Sequence, residues 1–575
     1  MKYHDVIIVG GGLAGLRAAI EINKHNLKAA VISKVYPIRS HSIAAQGGIN
    51  APLGNHPRGG DDSWERHAFD TVKGSDYLAD QDAVVRMIKA SSERIYEMEH
   101  WGCPFNRTPE GKIAQRPFGG AGFPRTCFAS DKTGHMLLHT LYEQAIKYEQ
   151  AAERGELEIF NEFLVTSLVV EDGVCRGVVA LDMASGKLET FKADAVIFAT
   201  GGAGRMYPNS TNALINTGMG MAVPFWAGVP LKDMEFIQFH PTTLLGSNIL
   251  MTEGCRGEGG YLTNSKGERF LADYSDSRKA MEVAPRDIVA RNMATEILEG
   301  RAFDDEYLLL DLRHLGEEKV ATRLPGIRDI CLKFLGIDPG REPIPVQPGQ
   351  HYTMGGIDCD IDGATNVAGF YAAGEGACVS VHGANRLGGN SLLDTIVFGK
   401  IAGEHACGYV AGKADPGAGD GALNDALARD GEKIDKLLGS DGKEDPSVIK
   451  EEMQAVMMTN VGIFRTKDKL AEAAEKIAEL RERYRNIGLR HAGRKFNYDL
   501  MWNLELGGTL DVAECVVRGA LAREECRGSH YRLDFTSRDD EKFLKHTLAH
   551  YDPDGARLEY RDVTLGHWEP KERKY

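Results

Sequence analysis

Gly10-Gly11-Gly12-Leu13-Ala14-Gly15 follows the apolar run Val6-Ile7-Ile8-Val9 and precedes a stretch rich in Ala, Leu and Ile. Strand, G-x-G-x-x-G and helix, in that order, make the phosphate-cradling turn of a βαβ nucleotide site. Gly10 permits the turn, Gly12 lets backbone approach a pyrophosphate, Gly15 brings helix onto strand, and the helix N-terminus faces the phosphates. A second set of chemistry-bearing residues lies between about 234 and 351, a stretch rich in His, Thr, Glu and Arg. Glu253 and Glu258 in that stretch could pair as the general acid and base of a hydrolase, but glycines and arginines surround them. No Ser or Cys stands in a nucleophile elbow and no His/Cys/Asp cluster has zinc-like spacing, so no catalytic metal is expected.

These residues need elements to position them. The second strand, Lys28-Ala29-Ala30-Val31-Ile32, ends in Ser33-Lys34, where a ribose-binding acidic residue usually stands about 20 positions after the glycines. That departure weakens an NAD reading and turns the question to which dinucleotide is bound. Two further strand-turns, Ala193 to Gly202 and Gly369 to Glu375, complete the pattern of flavoproteins with two dinucleotide motifs and should meet the first in one domain. Asp415 to Gly421 is a linker by composition, and Lys467 to Arg485 has helical spacing with alternating charge, as a solvated helix packed on one face would.

The 575 residues suffice for about three or four domains. Hydrophobic residues at 42% and charged residues at 26% support buried cores rather than disorder. The 66 glycines have no G-x-y period and point to many tight turns around a large ligand. A formal net charge of −15 opposes non-specific binding to nucleic acid or anionic lipid, so an anionic substrate needs a local arginine cluster. The longest stretch without Asp, Glu, Lys or Arg, Met206 to Leu231, carries Pro208, Pro224 and Pro230 and reads as a loop-rich buried segment rather than a membrane helix. Met1 to His4 runs straight into the first strand, leaving no room for a signal or transit peptide. Ten scattered cysteines without a C-x-x-C pair suggest reduced, buried thiols and no iron–sulfur cluster of the usual kind.

Arg39-Ser40-His41-Ser42-Ile43-Ala44-Ala45-Gln46-Gly47-Gly48 makes a specific resemblance visible, and other segments extend it: Gln238-Phe239-His240-Pro241-Thr242, Thr252-Glu253-Gly254-Cys255-Arg256-Gly257-Glu258, Pro285-Arg286-Asp287, His351-Tyr352-Thr353-Met354 and His382-Gly383-Ala384-Asn385-Arg386. Together they resemble the flavoprotein subunits of succinate dehydrogenase and its relative fumarate reductase nearly end to end. The fold so implied is α/β: a Rossmann-like FAD-binding domain (1–233 and 352–415) with an inserted α+β capping domain (234–351), a helical domain (416–526) and a small C-terminal domain (527–575). The resemblance carries FAD contacts onto Gly10, Gly11, Gly12, Leu13, Ala14 and Gly15, onto Ser33 and Lys34, and onto Ser40, His41, Ser42, Ala45, Gln46, Gly47 and Gly48. It also carries them onto Thr200, Gly201, Gly202, Glu375, Arg386, Ser391 and Leu392. One departure is Met219, where relatives often have an acidic residue after Asn-Thr-Gly.

The resemblance further implies FAD joined covalently through its 8α carbon to His41, an imidazole substituent that would raise the flavin potential. His351 and Arg386 would hold one substrate carboxylate, and His240, Thr242, Thr252 and the amide of Glu253 the other. Arg286 would move the proton, assisted by Glu253 and Arg256. An arginine is a poor base, with an ordinary pKa above ~12, so Arg256 and Arg386 are expected to disfavour its charge. The electrons would pass to an iron–sulfur subunit seated on a membrane anchor with a quinone site, at the cytoplasmic face of the membrane. Three alternatives stand beside this. L-aspartate oxidase lacks the flavin-linking histidine, a soluble fumarate reductase would carry its own electron-donor domain, and a non-catalytic FAD-binding subunit would not need Arg286, His240, His351 and Arg386.

Overall fold

The structure is a computed structural model that describes residues 1–150, 156–413 and 419–574. Most of the expected linker, Asp415 to Ala418, lies outside the described residues. Strand β1 (Lys2–Val9), helix α1 (Leu13–Lys24) and strand β2 (Ala29–Ser33) form the expected βαβ start. β1 and β2 run parallel with Val6 opposite Ala29 and Val9 opposite Ile32. β2 continues to Leu157–Asn161, and the other side of β1 pairs in parallel with Lys187–Phe198, which in turn carries Phe370–Ala372. The central parts of these strands are apolar because the layer is covered on both faces there: Val6, Ile7, Ile8, Ala29, Ala30 and Val31 are inaccessible to solvent. The first half of Lys187–Phe198 joins an antiparallel meander with Phe163–Glu171 and Val174–Asp182.

Parallel pairing has one consequence for function. The turns after β1, after Lys187–Phe198 and after Phe370–Ala372 all emerge at the same edge of the sheet, which is where open α/β sheets bind ligands.

A second layer supplies the other wall. Ile237–Leu244, Ile344–Thr353, Leu308–Asp311 and Tyr261–Thr263 form an antiparallel sheet with its own apolar core, including Leu244, Leu262, Leu308, Leu310 and Val346. Helix Arg286–Leu298 packs on this unit.

The helical segment shares the main core with the parallel sheet rather than building a separate one. Helix Lys467–Tyr484 buries Leu470, Ala473, Ile477 and Leu480 and turns its charges outward, as its spacing indicated. The 25-residue helix Tyr498–Ala522 packs on the short buried helix Met219–Trp226, the proline-containing part of the uncharged stretch. Among the described residues no helix is long and apolar enough to cross a membrane. At the C-terminal end, strands Lys545–His550 and Arg557–Asp562 extend a sheet that contains Leu231–Lys232 and Gly356–Asp358. All ten cysteines are free thiols, and only Cys526 is even partly exposed.

Candidate active site

A single elongated cavity begins at the sheet edge and ends between the two layers, with about 1730 Å³ free of protein atoms, some of it open to solvent. At its first end the turn Gly10 to Ala14 passes beneath it. Gly10 has φ +111°, and a side chain there would stand 2.3 Å from the Ala199 carbonyl oxygen. A Cβ at Gly15 would stand 1.9 Å from the carbonyl oxygen of Gly10, so only glycine lets α1 approach β1 this closely. Gly12, before the first residue of α1, has no side chain to cap it, and Ser42 Oγ accepts from the Leu13 amide at 3.3 Å. Gly15 lies behind the turn and does not line the cavity.

Ser33, Lys34, Ser40, His41, Ser42, Ala45, Gln46, Gly47 and Gly48 line the same space, as do Thr200, Gly201, Gly202, Glu375, Ser391 and Leu392. The buried Ser40 Oγ, Gln46 Oε1 and Thr200 Oγ1 have no hydrogen-bond partner within the protein. Buried polar atoms left unpaired along a glycine-lined groove are what a large polar ligand would satisfy, and the cradle fits the diphosphate of FAD. His41 accepts the Ala213 amide at Nδ1 (3.2 Å). Burial, with Arg205 adding to it, pushes the His41 pKa down to about 4, so its imidazole is neutral and Nε2 remains available. Desolvation likewise pushes Glu375 up to about 7, and it accepts the Thr353 amide at 3.2 Å.

The far end has a different character. Strand Ile237–Leu244 places Gln238 and His240 two residues apart on one face, and the adjacent strand brings His351 alongside, with ring centroids 4.9 Å apart. His240 Nδ1 lies 3.1 Å from the Thr242 amide and 3.2 Å from the Thr242 carbonyl, so the backbone of Thr242 fixes the ring. Its Nε2 is buried without a partner within the protein, and His240 lines the cavity wall. Thr242 itself does not line the cavity: its hydroxyl donates to the Met251 carbonyl at 2.7 Å, so it orients His240 rather than reaching a substrate. Thr211 Oγ1 holds His351 Nδ1 at 2.8 Å.

Arg286, the first residue of its helix, donates from Nε to Glu253 Oε2 at 2.7 Å. Asp287 turns away from it toward Arg291, Arg573 and Asn385. Thr252 Oγ1 accepts the Gly254 amide at 3.2 Å, and Glu253 also accepts the Gly119 amide. Arg386 donates to Gln238 Oε1 at 3.0 Å, and its guanidinium lies 4.5 Å from the centroid of the Tyr352 ring. Arg256 is buried behind Glu253 and does not line the cavity. It donates to the Glu282 carbonyl, and its Nε and Nη2 are unpaired.

Three arginines, one carboxylate and two histidines are thus packed together at this end. Burial would raise the Glu253 pKa, but Arg286 and Arg256 hold it below the usual carboxylate range. Burial and then Arg286 push Arg386 down to about 9. His240 and His351 lie well below the usual imidazole range, first through burial and then through neighbouring arginines, with His240 also lowering His351. With Glu253 ionised and the histidines neutral, two positive charges remain uncompensated, matching a dianion.

Sequence reasoning gave no role to Gln238, whose side-chain oxygen also lies 3.4 Å from Arg286 Nη1, nor to Thr211, Tyr352, Phe118 or Glu505, which line the cavity. The two-residue spacing of Gln238 and His240 was the available signal.

Fold and site together define a dinucleotide-binding flavoprotein with a cationic pocket at the end of its cofactor groove. The family description "FAD binding domain" matches residues 5–392, and "Fumarate reductase flavoprotein C-term" matches residues 450–575. The chain is 45% identical to the fumarate reductase flavoprotein subunit of Mycobacterium tuberculosis, covering 100% of this chain and 99% of that one. It is also 45% identical to the succinate dehydrogenase flavoprotein subunit of Rickettsia bellii, covering 98% and 95%. Among solved structures, the quinol fumarate reductase flavoprotein of Escherichia coli superposes with a TM-score of 0.95 at 44% identity, covering 100% of this chain and 99% of that one. The chain belongs to the family of fumarate reductase and succinate dehydrogenase flavoprotein subunits.

Proposed function

We propose that this flavoprotein interconverts succinate and fumarate in the pocket between His240, His351, Arg286 and Arg386. The observation that carries this reading is a pair of polar groups without partners on residues that line one space: His240 Nε2 and Arg386 Nε are both buried and unpaired. Arg386 holds one carboxylate by charge. Neutral His240 and His351 donate hydrogen bonds without adding charge, and Thr252 and the amide of Glu253 complete the other carboxylate contact. Arg286 gives a proton to fumarate carbon or takes one from succinate. Glu253, bonded to Arg286, exchanges that proton outward with Arg256 behind it. FAD, when bound, would supply the hydride chemistry.

His41 is the attachment point for covalent FAD in this reading, supported by its neutral ring and by the Ala213 amide fixing Nδ1. A denaturing gel under ultraviolet light should show a fluorescent band, and a dark band from matured protein would remove the covalent link. The subunit works with an iron–sulfur protein and a quinone-reactive membrane anchor, as a peripheral component at the cytoplasmic face. Purification from native membranes, identification of co-purifying chains and assay of both directions test this. A purified complex that turns over neither succinate nor fumarate would overturn it. The boundaries 1–233 with 352–415, 234–351, 416–526 and 527–575 are proposed as the domain division; the separate core of the second layer supports the capping unit.

A further inference from the structure

The end of β2 is where a nucleotide fold of this kind usually places its ribose-binding carboxylate, and here Ser33-Lys34 stands instead. The turn Asn216-Thr217-Gly218 is likewise followed by Met219. Yet a carboxylate does line this part of the cavity. It is Glu505, on helix Tyr498–Ala522, nearly five hundred residues from the glycine turn and only 4% exposed.

Its placement is fixed from several sides. Lys34 Nζ donates to Glu505 Oε1 and, at 2.7 Å, to the Ile215 carbonyl. Thr217 Oγ1 donates to the same Oε1 at 3.0 Å. One turn later Thr509 Oγ1 lies 2.7 Å from the Thr217 carbonyl and 2.9 Å from the Glu505 carbonyl, tying helix to turn. Close approach at Gly508, where a Cβ would stand 2.9 Å from Met219 Sδ, seats the helix against Met219. Among the described residues, Glu505 Oε2 has no hydrogen-bond partner, although the side chain borders the cavity.

We propose that Glu505 is the ribose-binding carboxylate of the dinucleotide site, supplied across space by the helical segment in place of the acidic residue missing after β2. Oε2 accepts a hydroxyl of the adenosine ribose. Lys34 neutralises the carboxylate, so that it does not repel the pyrophosphate held at the start of α1. Bound nucleotide then bridges the parallel sheet and helix Tyr498–Ala522, which otherwise meet here through Lys34, Thr217 and Thr509.

This inference rests on the FAD reading above, and the test separates the two. Full-length protein carrying His41→Ser, so that binding is reversible, is titrated with FAD and with FAD analogues bearing 2′-deoxy- or 3′-deoxyadenosine. The expected result is about tenfold weaker binding of one analogue. Adding Glu505→Gln should weaken FAD by a similar factor and remove the difference between FAD and that analogue. Equal affinity of FAD and both analogues for the protein with Glu505 intact overturns the proposal, whether or not the Gln variant folds. A Gln variant with a lowered Tm but an unchanged ratio of FAD to analogue affinity also overturns it, because that is the signature of a purely structural ion pair. Failure of the parent to bind FAD at all would remove the cofactor reading, and the proposal with it.

Discussion

The two ends of the cavity solve the same problem, holding a dianionic group in an acidic protein, by opposite means. At the dinucleotide end the groups offered are mainly backbone amides and hydroxyls on a short stretch of sequence, Gly10 to Ala14 and Ser40 to Gly48. At the dicarboxylate end they are full charges, Arg286 and Arg386, with Glu253 as partner, drawn from three separate segments of the chain. The difference follows from what each end must do. A pyrophosphate is only held, so fixed dipoles at a helix start suffice. A substrate carbon must exchange a proton, so that end needs ionisable groups packed tightly enough to shift one another.

The largest effect that would test this division is on turnover. Arg286→Gln should lower kcat in both directions by about 10³-fold, or ~4 kcal/mol of transition-state stabilisation, while FAD stays bound. Near-normal turnover would remove Arg286 from the chemistry. A group belonging to neither end provides a reference: His546, buried between Asp233 Oδ2 (2.7 Å) and Asp80 Oδ1 (3.2 Å). Burial would lower its pKa, but the two aspartates raise it to about 9. A raised folded-state value gives stability that is complete below about 6.5 and lost as pH rises through about 9, at most ~3 kcal/mol. Melting curves across that range should show the loss, and His546→Ala should flatten it without changing the KM profile; a Tm equally pH-dependent in the variant would remove His546 as the cause.

Gly15→Ala attacks the dinucleotide end alone. Its Cβ would meet the Gly10 carbonyl at 1.9 Å, so the turn must open, at a cost of about 1–3 kcal/mol and a ten- to hundredfold loss of reversibly bound FAD in the His41→Ser background. Flavin absorbance per chain after gel filtration measures it, and undiminished flavin would mean that the turn is less constrained than its geometry indicates. The smallest effect is on substrate affinity. Arg386 is charged below about 9 and neutral above it, so the KM for fumarate should rise through that pH, by up to about tenfold per unit. A KM flat to pH 10 would detach Arg386 from the carboxylate.

What was legible in the sequence follows the same division. Gly10 to Gly15, with the flanking apolar strand and helix, is a local signal, because turn, close approach and helix start all belong to adjacent residues. His240, Glu253, Arg286, His351 and Arg386 were found only through resemblance, since each motif alone is compatible with a satisfied structural residue. Thr242 was read as a substrate contact, yet its hydroxyl points to the Met251 carbonyl, a choice between two hydrogen-bond acceptors that no spacing reveals. Gln238 was quoted without a role, because bridging two arginines requires both to arrive from other elements.

The sequence by itself determined the βαβ start, the apolar strands buried on both faces and the amphipathic helix at Lys467–Tyr484, because each is set by periodicity and by the conformations its own residues permit. The tertiary structure alone decided that Arg286 pairs with Glu253 rather than with adjacent Asp287. It also decided that the tail joins the sheet with Leu231–Lys232, and that a carboxylate from residue 505 reaches Lys34. The physical reason is that charges and hydrogen-bond donors pair by proximity in a low-dielectric interior, and that proximity exists only after the chain has folded.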